Sequence, residues 1–314
     1  MISVIQIILL LAGLLVLMKG AGWFVDGVSG MAKAFHISPM VIGMTVVAMG
    51  TSLPETSVSI SCVLKGNYSI AVGDVIGSNI ANILLILGIS AMIKTIAVDK
   101  FTIRYEIPYM ILWIIVFGAI SIHLKAITRM DGVIFWIGFL LYLLYLWIRS
   151  KKEGNVDKWE AVESEEHSFL FSTLMTLTGM VMVLGSSQVI VDAATVIARD
   201  MGLTDRVIGL TIMAMVTSLP ELFTTTSALR KNNTDLAIGN IVGSNIFNLL
   251  FVIGSTAIVH PIQFEMAFVM DICVSLAAAL LLWVVSFGRK KLDQRTGIFM
   301  LLCYVGYVMI RMDM

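Results

Sequence analysis

"IGMTVVAMGTSLPE", residues 42–55, recurs almost unchanged as "IGLTIMAMVTSLPE" at residues 208–221. A second stretch, "IAVGDVIGSNIANILLILG" at 70–88, matches "LAIGNIVGSNIFNLLFVIG" at 236–254 with the same offset of 166 residues. Thr51 thus pairs with Thr217, Ser52 with Ser218, Glu55 with Glu221, Ser78 with Ser244 and Asn82 with Asn248, and the match reaches back to Val25 and Asp26 against Val191 and Asp192. Two ungapped stretches held at one offset are the mark of a duplication, so whatever one half builds the other builds again.

Hydrophobic residues make up 58% of the 314 and charged residues 13%, with a mean hydropathy of +0.95, whereas a soluble globular domain is about a quarter charged. The chain therefore reads as an all-α polytopic membrane protein. Apolar runs of about twenty residues, the length that crosses the hydrocarbon core as a helix, fall at 3–25, 38–64, 69–93, 105–124, 129–149, 168–191, 204–229, 235–259, 265–287 and 295–312. They are apolar on both parities, unlike the alternating segments of a membrane β-barrel. The first run has no basic leader or small-residue cleavage site and is kept as a span rather than a signal peptide. Zero net charge and a pI near 6.9 give no reason to expect a nucleic-acid partner. Cys62, Cys273 and Cys303 lie within spans at no metal-ligand spacing and read as buried apolar thiols.

Five spans per half is an odd number, so the second half enters the membrane upside down. The expected architecture is ten transmembrane helices as two inverted five-helix repeats, a construction secondary transporters use around a midplane site. Residues 1–150 form the first repeat, 151–167 a linker and 168–314 the second repeat; the linker falls in the only long polar stretch, "KKEGNVDKWEAVESEEHS" at 151–168. With Lys19 left out as lying within the first span, Lys and Arg number 14 on one side of these spans and 6 on the other. The positive-inside bias then places the protein in the cell membrane with both termini outside and the linker cytoplasmic.

A carboxylate at the centre of a membrane helix costs about 2.5–3.5 kcal/mol on insertion scales, and here two stand at equivalent positions. Each follows "TSLP", whose proline removes a helix hydrogen bond and pushes away a carbonyl four residues back, that of Gly50 for Pro54 and of Val216 for Pro220. Irregular backbone at this depth needs something to satisfy the freed oxygens, and a bound cation does so. Thr51, Ser52, Thr217 and Ser218 supply hydroxyl oxygens, and Glu55 and Glu221 supply charge. Ser78 with Asn82, and Ser244 with Asn248, lie four residues apart and share a helix face. Gly73, Gly77, Gly239 and Gly243, at four-residue spacing, suit close helix packing. An all-oxygen set favours hard cations, Ca²⁺ or Na⁺, over zinc or copper. Asn79 and Asn245 stand one step off this face, either as further ligands or bonded to helix backbone.

At these residues the sequence resembles the cation/calcium exchanger superfamily, specifically its prokaryotic sodium/calcium exchanger branch. "GTSLPE" with "GSNIAN", and "TSLPE" with "GSNIFN", look like the two α-repeats of that family, over all ten spans. The resemblance implies an antiporter that extrudes Ca²⁺ as Na⁺ runs inward, with no cofactor and no enzyme activity. It implies ion ligands at Thr51, Ser52, Glu55, Ser78 and Asn82, at Thr217, Ser218, Glu221, Ser244 and Asn248, and at the carbonyls of Ala48 and Ala214. It further implies that the first helix of each half slides across the core to switch access. Three departures stand out: Asn248 where some sodium/calcium exchangers have Asp, Val216 where a glycine is expected, and Asp74 opposite Asn240, either in an access path or at an interface.

Mutual exclusion of Na⁺ and Ca²⁺ from shared oxygens would couple their movements, and one chain in the bilayer is expected to suffice. A Ca²⁺/H⁺ exchanger with protonating glutamates and a K⁺-dependent exchanger use the same cage and remain alternatives. A cation channel could use it too, although an internal inverted repeat favours alternating access. An intramembrane hydrolase would need a base near a serine, and His36, His123, His167 and His260 all sit at span ends or in loops.

Overall fold

The computed structural model describes residues 4–35, 37–153, 168–201 and 213–312. Its helices are α1 (Val4–Ala34), α2 (Pro39–Thr51), α3 (Leu53–Leu64), α4 (Tyr68–Ile93), α5 (Thr102–Leu124), α6 (Arg129–Glu153), α7 (Phe169–Asp200), α8 (Ala214–Thr217), α9 (Leu219–Arg230), α10 (Thr234–Val259), α11 (Met266–Arg289) and α12 (Gln294–Met312). Among the described residues, seven helices are long and apolar enough to cross a membrane. The expected span at 38–64 is instead two shorter helices meeting at Ser52, and the described part of 204–229 breaks in the same way at Ser218. The linker expected at 151–167 lies outside the described residues from 154 on, and 151–153 belong to α6, which runs on to Glu153.

The proline explains both breaks. A ring at the second helical position has no N–H to lose there and is pre-set for a helix start, so Pro54 and Pro220 each begin a new helix rather than continue the old one. Ser52 (φ −89°, ψ 12°) and Ser218 (φ −81°, ψ 2°) take the bend. Helices α4 and α10 also widen into π-turns over Ala81–Ile86 and Asn248–Val252, a local insertion common at functional sites.

Two short antiparallel ladders stitch the halves together. β1 (Ile96–Ala97) pairs with β4 (Lys291–Leu292), and β2 (Ala126–Ile127) pairs with β3 (Ile262–Gln263). Buried ion pairs tie neighbouring helices near their ends: Arg149 on α6 binds Glu106 on α5 and reaches Asp99 at 3.3 Å. Arg311 on α12 binds Asp271 on α11, which also accepts from the Tyr307 hydroxyl at 2.8 Å. Removing one partner of such a pair leaves an uncompensated charge and costs about 3–5 kcal/mol.

Helices α4 and α10 form the centre, with 78% and 94% of their apolar windows buried, against 22% for α1. The glycines of α10 admit α2 closely: a methyl on Gly243 would stand 2.7 Å from the Cα of Met44. Helix α1 lies mainly along α7, at a spacing only small residues permit. A methyl on Gly27 would collide with the Thr176 backbone nitrogen and lie 2.6 Å from the Ser172 carbonyl. The α1–α7 pair has its own small core of Leu17, Ala21, Val183 and Ile190. Forcing extra carbon into a close contact costs about 1–3 kcal/mol, so Gly27→Ala is expected to lower the thermal unfolding midpoint in detergent, whereas Gly288→Ala, at an open position, is expected to leave it unchanged.

Candidate functional site

The helix breaks carry the two glutamates into the first turns of α3 and α9, where the positive end of the helix dipole favours a carboxylate. Both are wholly buried. Facing them are α4 and α10, which bring Ser78, Asn82, Ser244 and Asn248 into the same interior. Every one of the ten side chains expected in the cage is at most 2% exposed. The structure also joins residues across the halves: Ser52 Oγ donates to Glu221 Oε1 at 2.8 Å, and Ser78 Oγ lies 3.4 Å from both the Ala214 carbonyl and Thr217 Oγ1. The Ala48 carbonyl accepts from Thr51 Oγ1 at 3.3 Å and from the Ser52 N–H at 3.1 Å.

Four asparagines fix the roof of this space by a closed chain of hydrogen bonds. Asn79 Nδ2 donates to the Asn245 carbonyl at 3.3 Å and Asn245 Nδ2 to the Asn79 carbonyl at 3.2 Å. With their nitrogens so committed, their Oδ1 atoms accept from the neighbouring amides, Asn82 Nδ2 at 2.9 Å and Asn248 Nδ2 at 3.3 Å. That leaves the Oδ1 atoms of Asn82 and Asn248 without a hydrogen-bond partner among the described residues. Asn79 and Asn245 are therefore backbone-bonded positioning groups, one of the two roles left open for them by sequence.

The unbonded atoms share a chemistry. Among the described residues, Glu55 Oε1 and Oε2, Glu221 Oε2, Ser218 Oγ, Asn82 Oδ1 and Asn248 Oδ1 are all buried and all lack a hydrogen-bond partner. All are oxygens with free lone pairs. An unsatisfied buried acceptor costs about 1–3 kcal/mol, more when charged, and a hard cation is the partner that engages many oxygens at once. No group of three or more His, Cys, Asp or Glu among the described residues is arranged to hold a metal, so neutral oxygens must complete any coordination.

The two halves are not in the same state. Glu221 accepts from Ser52 and, at 3.4 Å, from Ser244; the repeat-related bonds from Ser218 and Ser78 to Glu55 are not made. Beside α3 opens a cavity of about 480 Å³ lined by Ser57, Ser61, Cys62, Lys65, Gln188 and Asp192, among others. At the equivalent place in the other half, Lys231 binds Asp26 and donates to the Gly22 carbonyl at 3.1 Å. Ser29 and Ala228 are buried there, where their counterparts Thr195 and Cys62 are half-buried and line the cavity. Val216, the residue departing from the expected glycine, packs against the small core between α1 and α7.

Sequence reading left Asp74 between an access path and an interface. It is wholly buried, and its Oδ1 accepts from Thr217 Oγ1 at 3.1 Å across the halves. Its repeat partner Asn240 likewise meets Thr51 at 3.3 Å. The interfacial role is the one observed. The contribution of Asn240 itself was missed, although the offset of 166 pointed to it.

A polytopic helical bundle whose buried centre is lined by paired carboxylates and unbonded oxygens has the makings of an ion carrier. The chain belongs to the sodium/calcium exchanger protein family, whose profile matches residues 5–148 and 171–312. It is 39% identical over 308 residues to the putative antiporter CaxA of Alkalimonas amylolytica, covering 96% of each chain. It is 27% identical over 346 residues to the sodium/calcium exchanger MaX1 of Methanosarcina acetivorans, covering 98% of each. Among solved structures it matches the sodium-calcium exchanger NCX_Mj with a TM-score of 0.82 and 33% identity, over 96% of this chain and 97% of that one. The protein is thus a membrane antiporter of a calcium-transporting family rather than a member of an enzyme family.

The asparagine chain makes a specific demand. Asn245→Leu removes the donor to the Asn79 carbonyl and the acceptor of Asn82 Nδ2, so a loss of about 1–3 kcal/mol in stability is expected, together with weakened ⁴⁵Ca²⁺ binding. Equilibrium dialysis beside thermal unfolding would check it, and full binding with lowered stability would show that the amides do not aim the site.

Proposed function

We propose that the protein exchanges Na⁺ for Ca²⁺ by alternating access, Na⁺ entry driving Ca²⁺ extrusion. The observation that carries this reading is the set of buried oxygens around Glu55 and Glu221 with no donor among the described residues. Two carboxylates balance one Ca²⁺, and Na⁺ ions competing for the same oxygens exclude it. In this reading Thr51, Ser52, Glu55, Ser78 and Asn82 with Thr217, Ser218, Glu221, Ser244 and Asn248, and the carbonyls of Ala48 and Ala214, are the ion ligands. Both ions are also named for the relatives MaX1 and NCX_Mj.

The architecture proposed for this cycle is ten membrane crossings in two inverted repeats, residues 1–150 and 168–314, joined by a cytoplasmic linker at 151–167, with both termini outside and one chain sufficient. An inverted pair can exchange conformations and so open the site to alternate faces. The open cavity beside α3 and the Lys231–Asp26 contact at its counterpart support a state open on one face only. The α1–α7 pair, closely packed within itself, suits a unit that slides across the remainder.

The test is ⁴⁵Ca²⁺ uptake into proteoliposomes loaded with Na⁺, K⁺ or neither, with and without a pH step. Uptake is expected to require internal Na⁺ and to vanish in Glu55→Gln and in Glu221→Gln. Uptake that follows the pH gradient without Na⁺ would sink Na⁺ coupling in favour of protons, a requirement for K⁺ would make the exchanger K⁺-dependent, and conductance far above carrier turnover would mean a channel.

Cys62 offers an independent readout because it lines the open cavity. A charged, water-soluble thiol reagent is expected to label it in Cys273→Ala/Cys303→Ala protein, and Ca²⁺ with the opposite face opened by Lys231→Met is expected to slow that labelling. Labelling indifferent to both would count against alternating access at this cavity.

A further inference from the structure

The two halves differ at one buried position whose chemistry the cage does not use. In the second half Asn240 is fully engaged: its Oδ1 accepts from Thr51 Oγ1 at 3.3 Å, and its Nδ2 donates to Thr225 Oγ1 at 2.9 Å and lies 3.4 Å from the Glu221 carbonyl. The repeat offset puts Asp74 in the place of Asn240, Ser59 in that of Thr225 and Glu55 in that of Glu221. Helices α3 and α4 pack together as α9 and α10 do. Asp74 Oδ1 keeps its half of the pattern by accepting from Thr217 Oγ1 at 3.1 Å.

The other half of the pattern is missing. Asp74 Oδ2 stands where Asn240 has an N–H donor, and both it and Ser59 Oγ are buried without a hydrogen-bond partner among the described residues. Thr217 has a single proton to share among Asp74 Oδ1, the Met213 carbonyl 2.9 Å away and, at 3.4 Å, the Ala214 carbonyl and Ser78 Oγ. The hydrogen bond that the Asn240 amide makes to Thr225 in one half has no counterpart in the other, where the equivalent atoms are both oxygens. Charge points the same way: a divalent ion neutralises Glu55 and Glu221 and leaves the third carboxylate unbalanced by one negative charge.

We propose that Asp74, Ser59 and Thr217 form a further subsite for an alkali cation, present in the first half and closed in the second by Asn240. It rests on the cation-exchange reading above, because the cation would reach Asp74 through the same cage. Carboxylate and hydroxyl oxygens suit a hard monovalent ion, and such an ion balances the one charge left over. The subsite is asymmetric by sequence, so it distinguishes two halves that otherwise repeat each other's ligands.

Asp74→Asn is the informative variant, since Asn240 shows how an asparagine is satisfied in that niche and the protein is expected to fold. The full chain in detergent, with its cage held by saturating CaCl₂, would be titrated with NaCl, KCl or choline chloride at constant ionic strength, reading the thermal midpoint, with ²²Na⁺ and ⁴⁵Ca²⁺ equilibrium binding measured separately. A ligand that binds the folded state raises the midpoint. Wild type is expected to respond to an alkali chloride and not to choline. Asp74→Asn is expected to need about tenfold more of that salt or to lose the response, and Ser59→Ala to show a smaller loss. In both, ⁴⁵Ca²⁺ binding should stay within about threefold of wild type. An unchanged alkali response in Asp74→Asn, or a change confined to its pH dependence, would overturn the subsite. Glu55→Gln separates the two readings: ⁴⁵Ca²⁺ binding that survives it refutes the cage, whereas loss there with an unaltered Asp74→Asn refutes only the subsite.

Discussion

Two carboxylates share a buried interior that offers them few hydrogen-bond donors and no paired cation among the described residues, and the rest of the structure follows from that. Buried acid is ordinarily expelled, neutralised or paired. Glu221 receives only hydroxyl contacts from Ser52 and Ser244, and Glu55 receives no side-chain donor among the described residues. The serine bends, the prolines behind them and the helix N-termini that result all bring glutamates to this place. The asparagine chain acts in the same sense, since each of its four amide nitrogens donates within it and the Oδ1 atoms of Asn82 and Asn248 are left without a partner among the described residues.

The same protein shows what it does when a buried charge is structural. Glu106 and Asp271 each meet an arginine, and Tyr307 adds a hydroxyl to Asp271. These pairs fasten adjacent helices, and each acid has an arginine against it, although Glu106 Oε2 keeps no hydrogen-bond partner among the described residues. Among the described residues no arginine pairs with Glu55 or Glu221, although the chain plainly can place one beside a buried acid. That contrast, within one molecule, is the physical reason for reading the glutamates as groups that meet a mobile charge.

Much of this was legible in the chain. The offset of 166 residues located both glutamates, their hydroxyl neighbours and the Ser–Asn pairs, because a buried polar residue that recurs at a fixed distance stands out against apolar sequence. Hydropathy placed the helices but not their breaks, since a run such as 38–64 stays apolar through Ser52 while the backbone turns there. The bonding of Asn79 and Asn245 was also out of reach, because it depends on two helices from opposite halves meeting face to face. The unequal engagement of Glu55 and Glu221 lies further still from sequence. Identical motifs cannot announce that they occupy different conformations.

Helices α1 and α7 are the longest among the described residues, at 31 and 32 residues, and each therefore measures about 46–48 Å along its axis. A hydrocarbon core is about 30 Å thick, so the pair must tilt or reach into the headgroups to fit. Its outer surface is bare aliphatic side chain, with Leu15 69%, Leu170 70% and Val181 70% exposed. Lipid rather than protein is the medium this surface meets, so under the sliding proposed above the thickness of the bilayer would enter the energy of every position the pair takes. The composition of the surrounding membrane is in this sense a mechanical component of the protein.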